Sequence, residues 1–186
     1  MMGKFKSEGI EWLKALVMGF IIFLIIQMFF FTNYVVEGES MTPTLQDGDK
    51  LVVNKISYRF SDINRFDVVV FHANDKEDYV KRVIGLPGDE ITYQDDHLYI
   101  NNKFFNEPYL DKFKKQVTDG LLTKNFTLQE LTGQMQVPEG YLFVLGDNRK
   151  NSFDSRQFGF VSMNEVVGKV NLRYWPINEW AVSFQK

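Results

Sequence analysis

Residues Asp78–Ile100 read DYVKRVIGLPGDEITYQDDHLYI. Three apolar runs, Tyr79–Ile84, Glu90–Tyr93 and Leu98–Ile100, are rich in β-branched and aromatic residues, too short for stable helices, and separated by turn formers. Leu86-Pro87-Gly88-Asp89 divides the first run from the second, and Gln94-Asp95-Asp96-His97 reads as a hairpin turn between the second and third. Outward from this stretch the pattern recurs at Leu51–Val53, Asp67–Phe71 (DVVVF), Tyr141–Leu145 and Val166–Trp175, with another turn at Val137-Pro138-Glu139-Gly140. The prediction is a mainly β domain. Only Asp111–Gln136 departs from the pattern: it is polar and Lys-rich, with FTLQELTG as a short helix, and is expected to be a surface insertion.

The N-terminal part differs in kind. Ala15–Phe31, ALVMGFIIFLIIQMFFF, carries no charge and one strongly polar residue, Gln27. A helix from Trp12 to Tyr34 would be about 33 Å long at ~1.5 Å per residue, close to the ~30 Å thickness of a bilayer core. Trp12 and Tyr34 bracket the run as interfacial aromatics do, and Lys4, Lys6 and Lys14 precede it, while no Lys or Arg occurs between Thr32 and Asp49. The positive-inside rule then makes residues 1–14 cytoplasmic, 15–34 a single transmembrane anchor, and 35–186 a domain on the outer face of the cell membrane. The exit sequence FFFTNYVVEGES lacks the small-x-small arrangement of a cleavage site, so the anchor is expected to be retained.

Composition narrows the chemistry. With 186 residues the chain has room for one ordinary domain behind the anchor. A net charge of −3 gives no basic face for nucleic-acid phosphates, so nucleic acid is not an expected partner. The absence of Cys removes disulfides, thiolate zinc sites and cysteine nucleophiles together. Acidic groups at Asp47/Asp49 and Asp75/Glu77/Asp78 do not fit an EF-hand, and neither metal nor cofactor is expected.

Ser40 lies in VEGESMTPTL, with Gly38 before it and Pro43 after it. The Gly permits a turn and close approach of another chain, and the Pro stiffens the residues after it. Such a loop can aim the hydroxyl and the Ser40 N–H at one point, where an oxyanion needs donors. The segment fails the G-x-S-x-G elbow, because Thr42 stands where the last Gly belongs, so an α/β-hydrolase is not supported.

A serine nucleophile needs a base, and His is the usual one. His72 ends the DVVVF strand and His97 sits in a turn, so both have structural explanations. In the strand Asp78–Ile84 the two-residue period puts Lys81 on the face of Tyr79 and Val83 and turns Arg82 away. Burial beside Tyr and Val strips water from an ammonium and lowers its pKa. Spacing alone leaves a second reading open, that of a strand-edge lysine reaching to water.

A third cluster, Gly146-Asp147-Asn148-Arg149-Lys150-Asn151-Ser152-Phe153-Asp154-Ser155-Arg156-Gln157-Phe158-Gly159, comes after an apolar strand. By itself it reads equally as a loop whose acidic and basic residues pair with each other. Taken in order, SMTPTL at Ser40–Leu45, DYVKRVIGLPGD at Asp78–Asp89 and GDNRKNSFDSRQFG at Gly146–Gly159 resemble the boxes of bacterial type I signal peptidases. The likeness runs from the anchor to VVGKV at Val166–Val170 and leaves out 111–136. A lysine at the base position is similar to the bacterial type and unlike that of the endoplasmic reticulum. The single anchor and short chain look like the compact Gram-positive form.

The resemblance implies a signal-peptidase-like catalytic core of antiparallel β-sheets behind one N-terminal transmembrane helix, with the active site facing the membrane. It implies a serine endopeptidase that removes signal peptides from exported preproteins, in contact with the lipid bilayer and near the protein-export machinery. Ser40 would attack the scissile carbonyl and Lys81 would take its proton. Ser152 would orient Lys81, and the Asp154–Arg156 ion pair would hold the loop against the catalytic strand. Where some relatives carry a serine as oxyanion donor, this chain has Gly38. The substrate would lie as an added strand between Val35–Gly38 and Asp78–Val80. Small residues at its −1 and −3 positions call for shallow apolar pockets, with Val36, Met41, Leu45, Tyr79 and Val80 as candidates that are also ordinary core residues. A specialised relative cutting one pilin or transfer-factor substrate, and an anchored binding protein without catalysis, are the alternatives.

Overall fold

The structure is a computed structural model that describes residues 2–55, 63–182 and 184, without the side chains of 2–9, 25–29 and 112. Helix α1, Met2–Phe30, passes with no intervening residue into strand β1, Phe31–Val35. The remaining strands are β2 (Lys50–Asn54), β3 (Val68–His72), β4 (Asp78–Gly85), β5 (Ile91–Gln94), β6 (His97–Ile100), β7 (Lys103–Phe105), β8 (Phe126–Thr127), β9 (Tyr141–Leu145), β10 (Val161–Ser162) and β11 (Val166–Trp175). They form a seven-stranded sheet of order β1-β2-β11-β3-β4-β9-β10 and a four-stranded sheet of order β7-β6-β5-β8. Every pairing is antiparallel, and the mainly β expectation holds.

Local chemistry explains the pieces. Asp95 and Asp96, and then Asn101 and Asn102, hold positive φ at both centres of two-residue turns, the geometry that suits hairpins and favours Asp and Asn. Strand β3 is apolar on both faces: Val68 and Val70 join one core cluster with Leu51, Val53 and Val170, while Val69 and Phe71 join another with Val83, Leu142 and Val144. The small sheet packs Ile91, Tyr93, Leu98 and Ile100 against Phe143 and Leu145. Burying an aliphatic side chain of this kind contributes roughly 1.5–3 kcal/mol.

Two sequence expectations change here. Helix α1 stops at Phe30, and Phe31–Tyr34, counted within the 15–34 anchor, are in β1, with Tyr34 opposite Leu51 of β2. A run of Phe, Thr, Tyr and Val suits a buried strand as well as an apolar helix, so hydropathy does not mark the boundary. Among the described residues no helix is long and apolar enough to cross a membrane. The side chains of Lys4, Lys6 and Gln27 lie outside the described residues. Those described from Ile10 to Leu24, including Trp12, Leu16, Met18 and Phe20, are exposed, and Phe30 is half-buried.

The second change concerns 111–136, which is not a surface insertion throughout. Its β8 pairs with β5, and the Phe126 ring lies 5.0 Å from that of Tyr93. Leu122, Thr123 and Leu128 are buried, and the Asp96 carboxylate accepts the N–H groups of Leu122 and Thr123 at 3.0 and 2.6 Å. The expected short helix is present at Leu128–Thr132, with Thr127 and Glu130 forming a capping box and Gly133 at φ 74° ending it.

Candidate active site

The loop between β1 and β2 is fixed from both sides. Val36 donates to Asp49 O and accepts from Gly48, and Met41 and Leu45 are buried beneath the loop. Gly38 adopts φ 87°, which an L side chain resists, and its N–H donates to Asp47 Oδ1 at 2.7 Å. The main chain of Ser40 is held from the far side of the domain: Asn148 N–H donates to Ser40 O at 3.0 Å, and Asn148 Nδ2 to Glu39 O at 3.2 Å.

Lys81 stands where β4 gains its second neighbour. Asp78–Lys81 pair only with β3, and β9 joins from Arg82 onward. One edge of Asp78–Lys81 is therefore open. Lys81 Nζ donates to Ser40 Oγ at 2.8 Å and to Val80 O at 3.1 Å, and it lies 5.2 Å from the Tyr79 ring centre. The side chain is buried, at 4 % exposure. Burial pushes its pKa down from 10.5 to about 8, against the upward pull of the Asp154 and Asp147 charges. At pH 7 on the order of one amine in ten is then neutral, against fewer than about one in a thousand for a free lysine. His97 Nδ1 is engaged with Asp95 O and His72 Nδ1 with Asp78 Oδ1, whereas the Lys81 amine is the titratable group in hydrogen-bond contact with Ser40 Oγ.

The third cluster is a support. Asp154, fully buried, accepts from Gly146 N at 3.0 Å and pairs with Arg156 through two bonds of 2.8 Å, and it caps the helix Ser155–Phe158. The expected ion pair is there. Ser152 is different: its buried Oγ has no hydrogen-bond partner, and Lys81 donates to Ser40 and Val80 instead. Gly146 accounts for the tight packing. A Cβ on it would lie 2.2 Å from Ser152 Oγ and 2.4 Å from Ser40 O, so only a glycine lets these segments meet.

Ser40 and Lys81 open onto a groove of about 500 Å³ between Tyr34–Glu37 and Lys76–Lys81. Val36, Met41, Tyr79 and Val80 line it, as does Asp78. Leu45 does not, because it is wholly buried in the core below with Leu51 and Val53. Among the described residues no cluster of His, Asp and Glu could hold a metal ion.

Sequence reasoning missed two buried networks. Arg82, read only as facing away from Lys81, donates to Asp147 at 2.8 and 2.6 Å, to Phe66 O and to Phe184 O, and Thr44 Oγ1 adds a 2.5 Å bond to Asp147. Arg149 donates to Glu107, Tyr93 and Thr123 and returns to Gly146 O at 3.1 Å. The signal was present in the density of charge after an apolar strand. The partners, at 42 and 65 residues' separation, were not readable.

Comparison with known proteins places the chain in a family. The family described as signal peptidase, peptidase S26, matches residues 9–175. The chain belongs to that family. It is 59 % identical over 159 residues to the signal peptidase I of Bacillus caldolyticus, covering 86 % of this chain and 87 % of that protein. It is 43 % identical over 183 residues to the signal peptidase IB of Staphylococcus aureus (strain MRSA252), covering 96 % of each. The crystal structure of a signal peptidase I from Enterococcus faecalis V583 superposes with a TM-score of 0.56 at 44 % identity, covering 59 % of this chain and 97 % of that one. The resemblance in the three boxes is thus a family membership, of the bacterial type I signal peptidases.

Proposed function

We propose that the chain is a membrane-anchored serine endopeptidase that removes N-terminal signal peptides from exported preproteins, with Ser40 as nucleophile and Lys81 as general base. The observation that carries this reading is the 2.8 Å contact between Lys81 Nζ and Ser40 Oγ on a lysine that burial holds near pKa 8. Neutral Lys81 takes the hydroxyl proton as Oγ bonds to the scissile carbonyl carbon, and returns it to the leaving amine as the C–N bond breaks. Water then cleaves the acyl ester with Lys81 again as base. The Ser40 N–H is the oxyanion donor in this reading. Gly38 N–H is already engaged by Asp47, so Gly38 contributes its carbonyl and its lack of a side chain.

The preprotein lies in the groove as an added strand beside the open edge of Asp78–Val80, facing Val35–Gly38. Val36, Met41, Tyr79 and Val80 supply shallow apolar walls for small side chains next to the cut. The exposed apolar side chains of α1 and the uncharged run Ala15–Phe31 support an anchor, and Lys4, Lys6 and Lys14 before it, with no Lys or Arg between Thr32 and Asp49, support a cytoplasmic N-terminus and an extracellular domain.

The test is cleavage of a preprotein by the detergent-solubilised full chain. Ser40→Ala and Lys81→Ala are each expected to lose at least about a thousandfold in rate, by the scale of triad deletions. Full cleavage by either variant would refute the pairing. Resistance of the domain to alkaline extraction from membranes, and its digestion by protease added outside the cell, test the anchor and its orientation.

A further inference from the structure

A buried carboxylate beside the small sheet stands behind the nucleophile. Glu107, two residues past β7, is 1 % exposed. Its Oε1 accepts three donors, Tyr93 Oη and Tyr109 Oη at 2.7 Å each and Arg149 Nη2 at 2.6 Å. Its Oε2 is buried with no partner among the described residues. A buried oxygen without a donor costs free energy, so this carboxylate is held where it serves Arg149 at its own expense. Arg149 is buried as well, and it also donates to Tyr93 Oη at 2.7 Å, to Thr123 Oγ1 at 3.2 Å and, through Nε, to Gly146 O at 3.1 Å. Burial alone would push the guanidinium pKa down, and the Glu107 charge more than offsets it, so the cation stays protonated out of reach of water.

The turn that begins at Gly146 lies between this cluster and Ser40. Arg149 holds the Gly146 carbonyl, a Cβ on Gly146 would lie 2.4 Å from Ser40 O, and Asn148 N–H donates to that same oxygen at 3.0 Å. The guanidinium is thus one residue away from the main chain of the nucleophile, across contacts that leave no room for slack. Close-packed interiors pass on such displacements. Tyr93 on β5, Glu107 after β7 and Thr123 in the segment 111–136 all lie outside the three sequence boxes, so the small sheet reaches the active site only through Arg149.

We infer that Glu107, acting through Arg149, is a positioning residue that sets where the Ser40 main chain stands. This rests on the peptidase reading given above. Glu107 lines no part of the groove and touches neither Ser40 nor Lys81. Its effect is on the placing of the nucleophile and of the Ser40 N–H, not on the binding of substrate. With the carboxylate neutralised, Arg149 keeps its charge, turns to another acceptor and draws the Gly146 carbonyl with it. The small sheet is the support against which the nucleophile loop is set.

The test uses the full chain in detergent and a preprotein substrate, with kcat and KM measured separately and thermal unfolding followed for each protein. Wild type is compared with Glu107→Gln, Tyr93→Phe and the double variant Glu107→Gln/Arg149→Met. Glu107→Gln is expected to lower kcat by about tenfold to a hundredfold, the scale of a shift of up to ~1 Å at a reacting group, with KM within about twofold. Tyr93→Phe keeps the ring and removes one donor to Glu107 and one acceptor from Arg149, and a smaller loss confined to kcat is expected. In the double variant no charge is stranded and the glutamine still accepts from both tyrosines, so Tm is expected to return towards wild type. The tie to Gly146 O is gone, however, and kcat is expected to stay low. A purely stabilising pair would instead regain kcat along with Tm. That recovery overturns the inference, as does a Glu107→Gln kcat within about twofold of wild type well below its Tm, or a loss that appears in KM alone. Should Glu107→Gln not fold, an unchanged kcat in Tyr93→Phe overturns it equally. In each of these cases Ser40-dependent cleavage leaves the peptidase reading standing. No cleavage by wild type, or cleavage that survives Ser40→Ala, overturns both.

Discussion

Lys81 and Arg82 are consecutive in β4 and both buried, yet only Arg82 has an ion-pair partner: it grips Asp147 at 2.6 Å, while Lys81 hydrogen-bonds to a hydroxyl and a carbonyl. The pleat sends them to opposite faces. Arg82 is held charged, whereas Lys81 is desolvated with its nearest acidic influences, Asp154 and Asp147, too weak to offset burial. One strand thus separates a structural cation from an amine able to accept a proton.

The first prediction is kinetic. Lys81 must be neutral to act as base, so kcat/KM is expected to rise with pH through an apparent pKa of about 8 and then level off. A profile with no rise between pH 6 and pH 9 would remove Lys81 from the role. Lys81→Arg, charged throughout that range, is expected to be inactive at every pH.

The second concerns stability. Unfolded, the lysine titrates near 10.5, and folded near 8. Between these values the unfolded chain binds more protons, so stability climbs as pH rises through this window. Below it the burial penalty is felt in full. Lys81→Met lacks that penalty and is expected to be more stable than wild type at pH 7, by up to about 3 kcal/mol, with the gap closing towards pH 10.5. Thermal unfolding of both proteins at neutral and alkaline pH measures it, and a gap that widens with pH contradicts the assignment.

A third prediction contrasts two glycines. A Cβ at Gly146 would meet Ser40 O at 2.4 Å, a backbone atom that cannot step aside without moving the nucleophile. Gly146→Ala is expected to lose at least about a hundredfold in kcat, the scale of a 1 Å misplacement. At Gly38 an added Cβ meets nothing within 4 Å, and the cost is the left-handed φ of 87° alone. Gly38→Ala is expected to destabilise by about 1 kcal/mol, as measured by unfolding.

The fourth addresses the buried pair. Asp147→Asn removes the anion from Arg82, whose guanidinium is fully buried. Breaking such a pair from one side costs about 3–5 kcal/mol. A comparable drop in unfolding free energy is expected, together with weaker activity, because Asn148 next to it holds Ser40 O. A change below about 1 kcal/mol, the value of an exposed pair, would show that the network is not stabilising.

Strands and turns were legible because their signals are local. The alternating runs of β4, β5 and β6, and the Asp95–Asp96 turn between the last two, need only neighbouring residues to declare themselves. Ser40 and Lys81 were nameable through their motifs, and the two-residue period correctly set Lys81 beside Tyr79. What depended on distant partners was lost. Arg82 was read only as turned away from Lys81, and Arg149 as pairing within its own loop, because Asp147 and Glu107, their partners, lie 65 and 42 residues away. Leu45 was assigned to a pocket wall since a turn has no period to say which side chains point down. Segment 111–136 looked superficial because three apolar residues, Leu122, Phe126 and Leu128, are diluted by lysines that stay in water. The end of α1 was misjudged because Phe, Tyr and Val serve helix and strand alike.

Helix α1 and strand β1 share no spacer, and Phe30 O at the junction accepts the N–H of Lys55, just past β2. An anchored enzyme built this way has no tether on which to tumble. In the proposed anchored form the stalk runs into the sheet without slack, so thermal motion of the helix would be passed to the groove as tilt. On that reading Ser40 would sweep a thin shell at one height above the bilayer. Inserting a few Gly and Ser residues after Phe30 would turn that shell into a volume, diluting Ser40 over heights where no substrate waits, without altering a single contact in the groove.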